Sequence, residues 1–327
     1  MRIDVHRLFV VRTQFTVLVT MSKKALLADS SMLMVAIIWG FTFPMVKGAT
    51  GSFPVFSFLV LRFGFAVVGL LVISWRALRF VPRKWVAFGL ITGLVNFAGF
   101  VLQTYGLQTI APGRTAFITG LYGALVPLML GLIGRGRISR ELWIAIGLSV
   151  AGLMMLFWRD LSFSLLPGDG LVVLCAFAFA AQIVMVSMFP THIDPIPFAT
   201  LQALAGLGAA SLFALAVDQP LPSLPIDTLG AAIFTGLAAT ALALVVQSWA
   251  QRHTPTAHAA LIFCTEPVWG AIAGIAMFGE TFTPLAVVGC ICMLISMIVP
   301  DFATTLRTLA RRKLVEAEAP TLSLPAQ

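Results

Sequence analysis

The chain has 327 residues, of which 59% are hydrophobic and 10% charged, with a mean hydropathy of +1.00. No soluble domain of this length can hide so much apolar side chain in one core, so lipid is the solvent for most of the protein. The formal net charge of +8 does not mark a nucleic-acid binder, because the basic residues form no patch and gather instead at alternate ends of the apolar runs.

In chain order, residues 1–29 read as a cytoplasmic N-terminal tail. Leu8 to Thr20 resembles a secretory signal core, but Arg12 and Gln14 interrupt it and no small-x-small cleavage site follows. Met21 before Ser22-Lys23-Lys24 reads as a natural start, which leaves residues 1–20 as an over-extended start or a mobile tail. Ten apolar stretches follow, at 30–48, 54–74, 85–108, 113–134, 141–158, 169–189, 196–217, 228–250, 256–278 and 283–300, each long enough to cross a bilayer. The shortest spans, of about 18 residues, rise about 27 Å, so they have little room to tilt in a hydrocarbon core of about 30 Å. Connections such as 191–195 are too brief to fold separately, so one all-α polytopic membrane domain is expected. Residues 301–327 read as a second cytoplasmic tail, whose end from Arg311 mixes charge with Pro and small residues as disordered segments do.

Orientation follows from the cations. With the amino terminus inside, seventeen of the 21 Lys and Arg fall in cytoplasmic segments, among them Arg76, Arg79, Arg83, Lys84, Arg135, Arg140 and Arg252. Only Lys47, Arg114 and Arg159 fall outside, Arg62 lies within a span, and the outer connections carry Asp160, Asp169, Asp218, Asp227 and Glu280. The positive-inside bias therefore puts both termini in the cytoplasm of a bacterial-type inner membrane.

All four cysteines, Cys175, Cys264, Cys290 and Cys292, lie inside spans, and neither a disulfide framework nor a metal site is indicated. Cys290 and Cys292 are about 200° apart around a helix and cannot share one ligand from the same face. There is no Gly-rich phosphate loop, no paired-His metal motif and no nucleophile elbow, so no cofactor is expected and a membrane-embedded enzyme is the weak alternative from another class.

The two halves resemble each other. A shift of 144 residues sets Gln103-Thr-Tyr105 on Gln247-Ser-Trp249 and Ala116-Phe-Ile118 on Ala260-Leu-Ile262. Shifts of 140 and 142 set Pro54 to Arg62 on Asp194 to Gln202 and Gly147 on Gly289. Each half holds five spans, and because five is odd the second copy enters from the opposite side. The expectation is two inverted five-helix repeats, 30–160 and 161–300, the usual construction of secondary transporters with a midplane site at the repeat interface.

Trp39-Gly-Phe-Thr-Phe43, Leu61-Arg-Phe63, the stretch from Tyr105-Gly-Leu107 to Tyr122, Thr265-Glu-Pro267 and Phe278-Gly-Glu280 resemble the EamA repeats of the drug/metabolite transporter superfamily. The resemblance covers residues 30–300 and looks closest to YddG-type exporters of amino acids, including aromatic ones. It implies ten helices, inverted repeats and a central cavity. Gly134-Arg-Gly-Arg-Ile138 departs from the pattern, since the first repeat has no carboxylate matching Glu280 and any role there cannot be symmetric.

Polar side chains are costly in lipid, so those in midspan are expected to face a cavity or one another. Asn96, Phe100 and Gln103 at i, i+4 and i+7 share one face of the third span, and Thr240, Leu244 and Gln247 repeat that stripe in the eighth. Each of these residues could equally bond only a neighbouring helix. Thr115, Thr119 and Tyr122 share a face of the fourth span, and Glu266 takes the place of Tyr122 in the ninth. Counted from Thr256, Glu266 lies about 15 Å into the membrane, where a carboxylate needs water, a cation or a proton. It can meet a substrate ammonium, carry a proton, or neutralise Arg62, which is read first as a structural or coupling charge. Pro267 leaves the carbonyl of Phe263 without its helical donor. Lys47, at the end of its span, can snorkel to the interface. Trp39, Thr42, Tyr105, Tyr122, Gln182 and Trp249 complete the candidate substrate-binding set, with Tyr105 and Trp249 placed to narrow two entrances or to serve as interfacial belt residues.

These residues point to a secondary transporter that alternates access around a midplane cavity and exports an amino acid or related small metabolite. A proton-coupled exporter of cationic drugs would want a carboxylate midway along the first span, where Trp39 and Thr42 stand. A phosphorylated-sugar exchanger would want several midspan cations, and only Arg62 is one. The expected partners are a small-molecule solute and the lipid bilayer, with no nucleic acid and a monomeric chain.

Overall fold

The computed structural model describes residues 23–135, 139–158, 166–218, 223–278 and 283–300, with the backbone for 274–278. Most of the two tails, residues 136–138, and Arg159, Asp160 and Glu280 lie outside the described residues. Helices account for nearly all the rest, as lipid requires: with no water to satisfy backbone N–H and C=O groups, each segment must pair its own.

The helices are α1 Lys23–Ser52, α2 Val55–Ser74, α3 Arg83–Thr109, α4 Pro112–Leu132, α5 Arg140–Leu156, α6 Pro167–Met188, α7 Pro195–Val217, α8 Ile226–Ala250, α9 Thr256–Phe263, α10 Glu266–Phe278 and α11 Pro284–Pro300. Among the described residues, α1, α2, α3, α4, α6, α7 and α8 are seven helices long and apolar enough to cross a membrane, so this is a multi-pass membrane protein. Several exceed their apolar stretch. α1 starts at Lys23, well before residue 30, because hydrogen bonding and not hydropathy ends a helix, and polar turns continue it beyond the hydrocarbon. Pro112, Pro167 and Pro195 occupy first helical positions, where their fixed φ is favourable and their missing N–H is no loss. Ser139 and Asp194 cap α5 and α7 by accepting from the N–H of Leu142 and Ile196.

Local irregularities recur at related positions. α4 is interrupted at Leu121, whose N–H reaches Ile118 in a tight three-residue turn. The Cys264-Thr265 turn separates α9 from α10, and Thr265 lies 144 residues after Leu121. The third irregularity is a π-helical turn in α8 at Leu237–Leu242, a form that recurs at functional sites.

Helices of one half pack mainly on helices of the other: α3 on α6 and α7, α2 on α7 and α8, α1 on α8, α9 and α10, and α4 on α6 and α9. Lipid supplies no hydrophobic drive between helices, so small residues and close backbone approach hold them together. A Cβ on Gly93 would sit 2.5 Å from the carbonyl oxygen of Gln202, and one on Gly236 2.6 Å from that of Arg62. Gly93 and Gly236 are related by a shift of 143, Arg62 and Gln202 by 140, so one tight crossing is built twice. α2 and α7 run antiparallel: Ser74 bonds Thr200 at 2.8 Å, Phe63 covers Gly206, and Phe56 stacks on Phe213 at 5.1 Å. Arg76, Arg79, Arg83, Lys84, Arg135 and Arg252 share the end of the bundle reached by the start of α1, hereafter the basic end. Asp169, Asp218 and Asp227, with Lys47 and Arg114, share the opposite or acidic end.

Candidate functional site

Midway along the bundle, α1, α2, α3, α4, α6, α8 and α10 converge on a cavity of about 40 Å³, enough for a few waters and smaller than an amino acid. Asn96, Phe100 and Gln103 face it from α3, and Thr240, Leu244 and Gln247 face it from α8. Trp39 and Thr42 contribute from α1, Phe179 and Gln182 from α6, Tyr122 from α4, Arg62 from α2 and Glu266 from the first turn of α10.

The lining is paired by the repeat. Trp39 and Thr42 correspond to Phe179 and Gln182 at a shift of 140, while Asn96, Phe100, Gln103 and Tyr122 correspond to Thr240, Leu244, Gln247 and Glu266 at 144. Tyr122 and Glu266 also touch: the phenol Oη donates to Oε2 at 3.2 Å. One turn away, the Cys264 thiol donates to the carbonyl of Gly120, again at a separation of 144.

Two polar poles line this cavity. At one, Arg62 is almost fully buried, lies with its guanidinium 4.0 Å over the Phe100 ring, and donates from Nε to Thr240 Oγ1 at 2.9 Å. Thr240 Oγ1 donates in turn to the carbonyl of Thr235, five residues back and just before the π turn, at 2.8 Å. That turn also presents the carbonyl of Ala239, which accepts from the indole of Trp39 at 2.9 Å. The irregular turn thus leaves one α8 carbonyl, that of Ala239, to a partner outside the helix. Phe179 meets Phe100 edge to face at 5.3 Å, and Trp39 leans on Phe263 at 5.1 Å, so aromatic walls close the sides.

At the other pole stands Glu266, held by Tyr122. Arg62 and Glu266 are not ion-paired: among the described residues the only ion pair within 4.0 Å joins Arg114 to Asp169. The structural role in which Glu266 directly neutralises Arg62 is therefore not the geometry of this conformation. Beside the cavity, Gln182 and Gln247 exchange amide bonds at 3.1 and 3.0 Å, and Gln182 also donates to Gln202 Oε1 at 2.9 Å. Gln202 is fully buried and its Nε2 has no acceptor among the described residues. Gln103 donates weakly to Thr119 at 3.3 Å.

Two candidates stand apart. Tyr105 and Trp249 do not line the cavity: Tyr105 packs its edge on Phe56 at 5.7 Å, and Trp249 lies 4.9 Å from the His253 ring. Each follows a cavity-facing glutamine by two positions, a rotation of about 200° that turns it to the far side of its helix. Lys47 does not snorkel freely either, since its ammonium donates to the carbonyl of Ile110 at 2.7 Å. Sequence reasoning missed Gln202 and the Ala239 carbonyl. Gln202 had a signal, since the shift of 140 sets it on Arg62, whereas nothing in the residue types of Leu237–Leu242 announces a π turn.

Two stretches of the chain, 26–158 and 166–299, each match the model of the EamA-like transporter family. An uncharacterized transporter of Archaeoglobus fulgidus is 29% identical over 279 residues, which span 84% of this chain and 86% of the relative. A crystal structure of a protein 17% identical in sequence shares the fold, with a TM-score of 0.67 over 87% of this chain and 98% of that one.

Proposed function

The chain belongs to the EamA-like transporter family of the drug/metabolite transporter superfamily, and from that premise we propose that it is a secondary transporter exporting amino acids, aromatic ones included, by alternating access around the central cavity. The observation that carries the reading is that Arg62 and Glu266 line one cavity without pairing with each other. A zwitterion supplies what both lack: its carboxylate suits the planar guanidinium and its ammonium suits the carboxylate. Trp39, Phe100 and Phe179 offer an aromatic side chain flat and edge-on surfaces, as a YddG-type exporter requires. Within this reading the substrate set is Trp39, Thr42, Asn96, Phe100, Gln103, Tyr122, Gln182, Gln247 and Glu266, with Arg62 as carboxylate partner.

The same reading assigns ten membrane crossings, the shorter α5, the α9–α10 pair and α11 completing the seven long ones. Inversion of the halves is supported by the antiparallel run of α2 and α7, which are repeat-related. It is supported again by Tyr122 touching Glu266, because a residue meets its own counterpart only near the symmetry axis. The basic end faces the cytoplasm.

Glu266 and Tyr122 also support a second role at the same site, transfer of a proton coupled to solute. Efflux of labelled phenylalanine from proteoliposomes, competed by unlabelled amino acids, by their amides and by organic cations, with and without a pH gradient, tests both. Competition by free amino acids over their amides is expected. Competition by cations alone, with no amino-acid flux, overturns the proposal.

A further inference from the structure

The two ends of the bundle are not in the same state. At the acidic end, the Lys47 ammonium at the end of α1 docks on the carbonyl of Ile110, just before α4. Beside it, Arg114 of α4 grips Asp169 of α6 with two bonds of 2.6 Å, from Nε and Nη2. Asp169 in turn accepts from the N–H of Leu166, which fixes it at the start of its helix. Gly106 of α3 lets that helix touch the start of α6 beside the pair: a Cβ on Gly168 would fall 2.9 Å from the carbonyl oxygen of Gly106.

The repeat assigns a counterpart to each partner. Lys47 and Ile110 correspond to Ser187 and Thr254, and Arg114 and Asp169 correspond to His258 and Asp29, at the same shifts of 144 and 140. At the basic end these residues do something else. Ser187 donates back to the carbonyl of Val184, Thr254 donates to Asp29, and His258 meets the carbonyl of Met297. Ser187 and Thr254, instead of clasping, line a second cavity of about 660 Å³ between α4, α5, α6 and the turn before α9. Of the two arginines in its wall, Arg135 and Arg252, the second is engaged on the carbonyls of Ser248, Thr191 and Ile193, so it braces the loop around the cavity.

We infer that Lys47 on the Ile110 carbonyl, together with the Arg114–Asp169 pair, forms the gate of the acidic end, closed in this conformation. Its repeat-related gate at the basic end, made by Ser187, Thr254, Asp29 and His258, stands open here and closes when the first opens. The inference rests on the transporter reading for its purpose, because two inverted copies that exchange conformations give alternating access. The chemistry also sets the bias. The acidic-end gate is closed by an ammonium and a bidentate ion pair, the basic-end gate by a hydroxyl and a single imidazole, so the conformation open at the basic end is the more stable.

The test reads accessibility and needs no solute. Thr50→Cys, buried beside Gln108 at the acidic end, and Ala257→Cys, in the wall of the large cavity, are labelled with an impermeant maleimide in vesicles of both orientations. Against the parent rates, Ala257→Cys is expected to react quickly and Thr50→Cys slowly. Asp169→Asn or Lys47→Met is expected to shift that ratio toward Thr50→Cys by about tenfold. The exchange Arg114→Asp with Asp169→Arg should restore it. Ser187→Lys, which places a lysine where the repeat puts the counterpart of Lys47, should move the ratio in the same direction as losing Lys47. Unchanged ratios in Asp169→Asn, Lys47→Met and Ser187→Lys, in protein that elutes as a single folded species, overturn the gates. Transport lost with the ratio still responding would instead overturn the assignment of the solute.

Discussion

Tyr122 and Glu266 stand 144 residues apart, occupy the same position in the two repeats, and are hydrogen-bonded to each other at 3.2 Å. The two repeats thus meet at one phenol and one carboxyl group, so the residues that line the cavity in repeat-related pairs differ in charge. In the proposed transporter, that asymmetry suits a solute with two unlike ends.

Glu266→Gln keeps the side-chain volume and removes the charge, and is expected to lower amino-acid efflux at least tenfold, about the 1.4 kcal/mol that one missing charge-assisted bond represents. Tyr122→Phe removes only a long bond, and a two- to fivefold loss of about 0.5–1 kcal/mol is expected. Initial efflux rates in proteoliposomes, normalised to folded protein, decide both; a fully active Glu266→Gln transporter removes Glu266 from the site.

Arg62→Lys is expected to be as damaging as Arg62→Met. An ammonium cannot lie flat on Phe100 while donating sideways to Thr240, as the guanidinium does. Competition by free amino acids should weaken about tenfold in both variants, with competition by the corresponding amides little changed. Equal weakening of acids and amides would mean that Arg62 shapes the cavity without meeting the carboxylate.

Gly236→Ala and Gly93→Ala each press a methyl group to within 2.6 Å of a backbone atom on the neighbouring helix. An overpacking cost of about 1–3 kcal/mol is expected, visible as a lower Tm in detergent. Gly230→Ala, on the same helix α8, and Gly208→Ala, on α7 against which α3 packs, have nothing within 4 Å, are the controls and should melt like the parent.

Trp39→Phe loses the indole donation to the Ala239 carbonyl and is expected to slow efflux of aromatic solutes about three- to tenfold. Tyr105→Phe and Trp249→Phe, whose rings face away from the cavity, should leave the order of solute preference unchanged. A changed preference in either would bring these rings back to the solute path.

The stripe Asn96, Phe100 and Gln103 was legible because helical spacing alone puts i, i+4 and i+7 on one face, and lipid penalises any other use of the polar members. The meeting of Tyr122 with Glu266 was legible only as a correspondence: the alignment paired them, and the fold made them neighbours. Tyr105 and Trp249 were grouped with the cavity-facing glutamines by residue type, which near a helix end says nothing of azimuth, and two residues of rotation place them off the cavity wall. Gln202 escaped notice because its amide works one layer behind the wall, through Gln182.

Composition, span length and the internal repeat determined by themselves that the chain is a helical membrane protein in two related halves, since the cost of exposing backbone to hydrocarbon leaves few other solutions. Which helices interleave, where the π turn interrupts α8, that Arg62 rests on Phe100 and Thr240 while Glu266 stays with Tyr122, and that Lys47 docks on the Ile110 carbonyl were decided by tertiary structure. Those outcomes depend on close contacts between segments far apart in the chain, and hydropathy, being a property of each segment alone, carries no information about which surfaces meet.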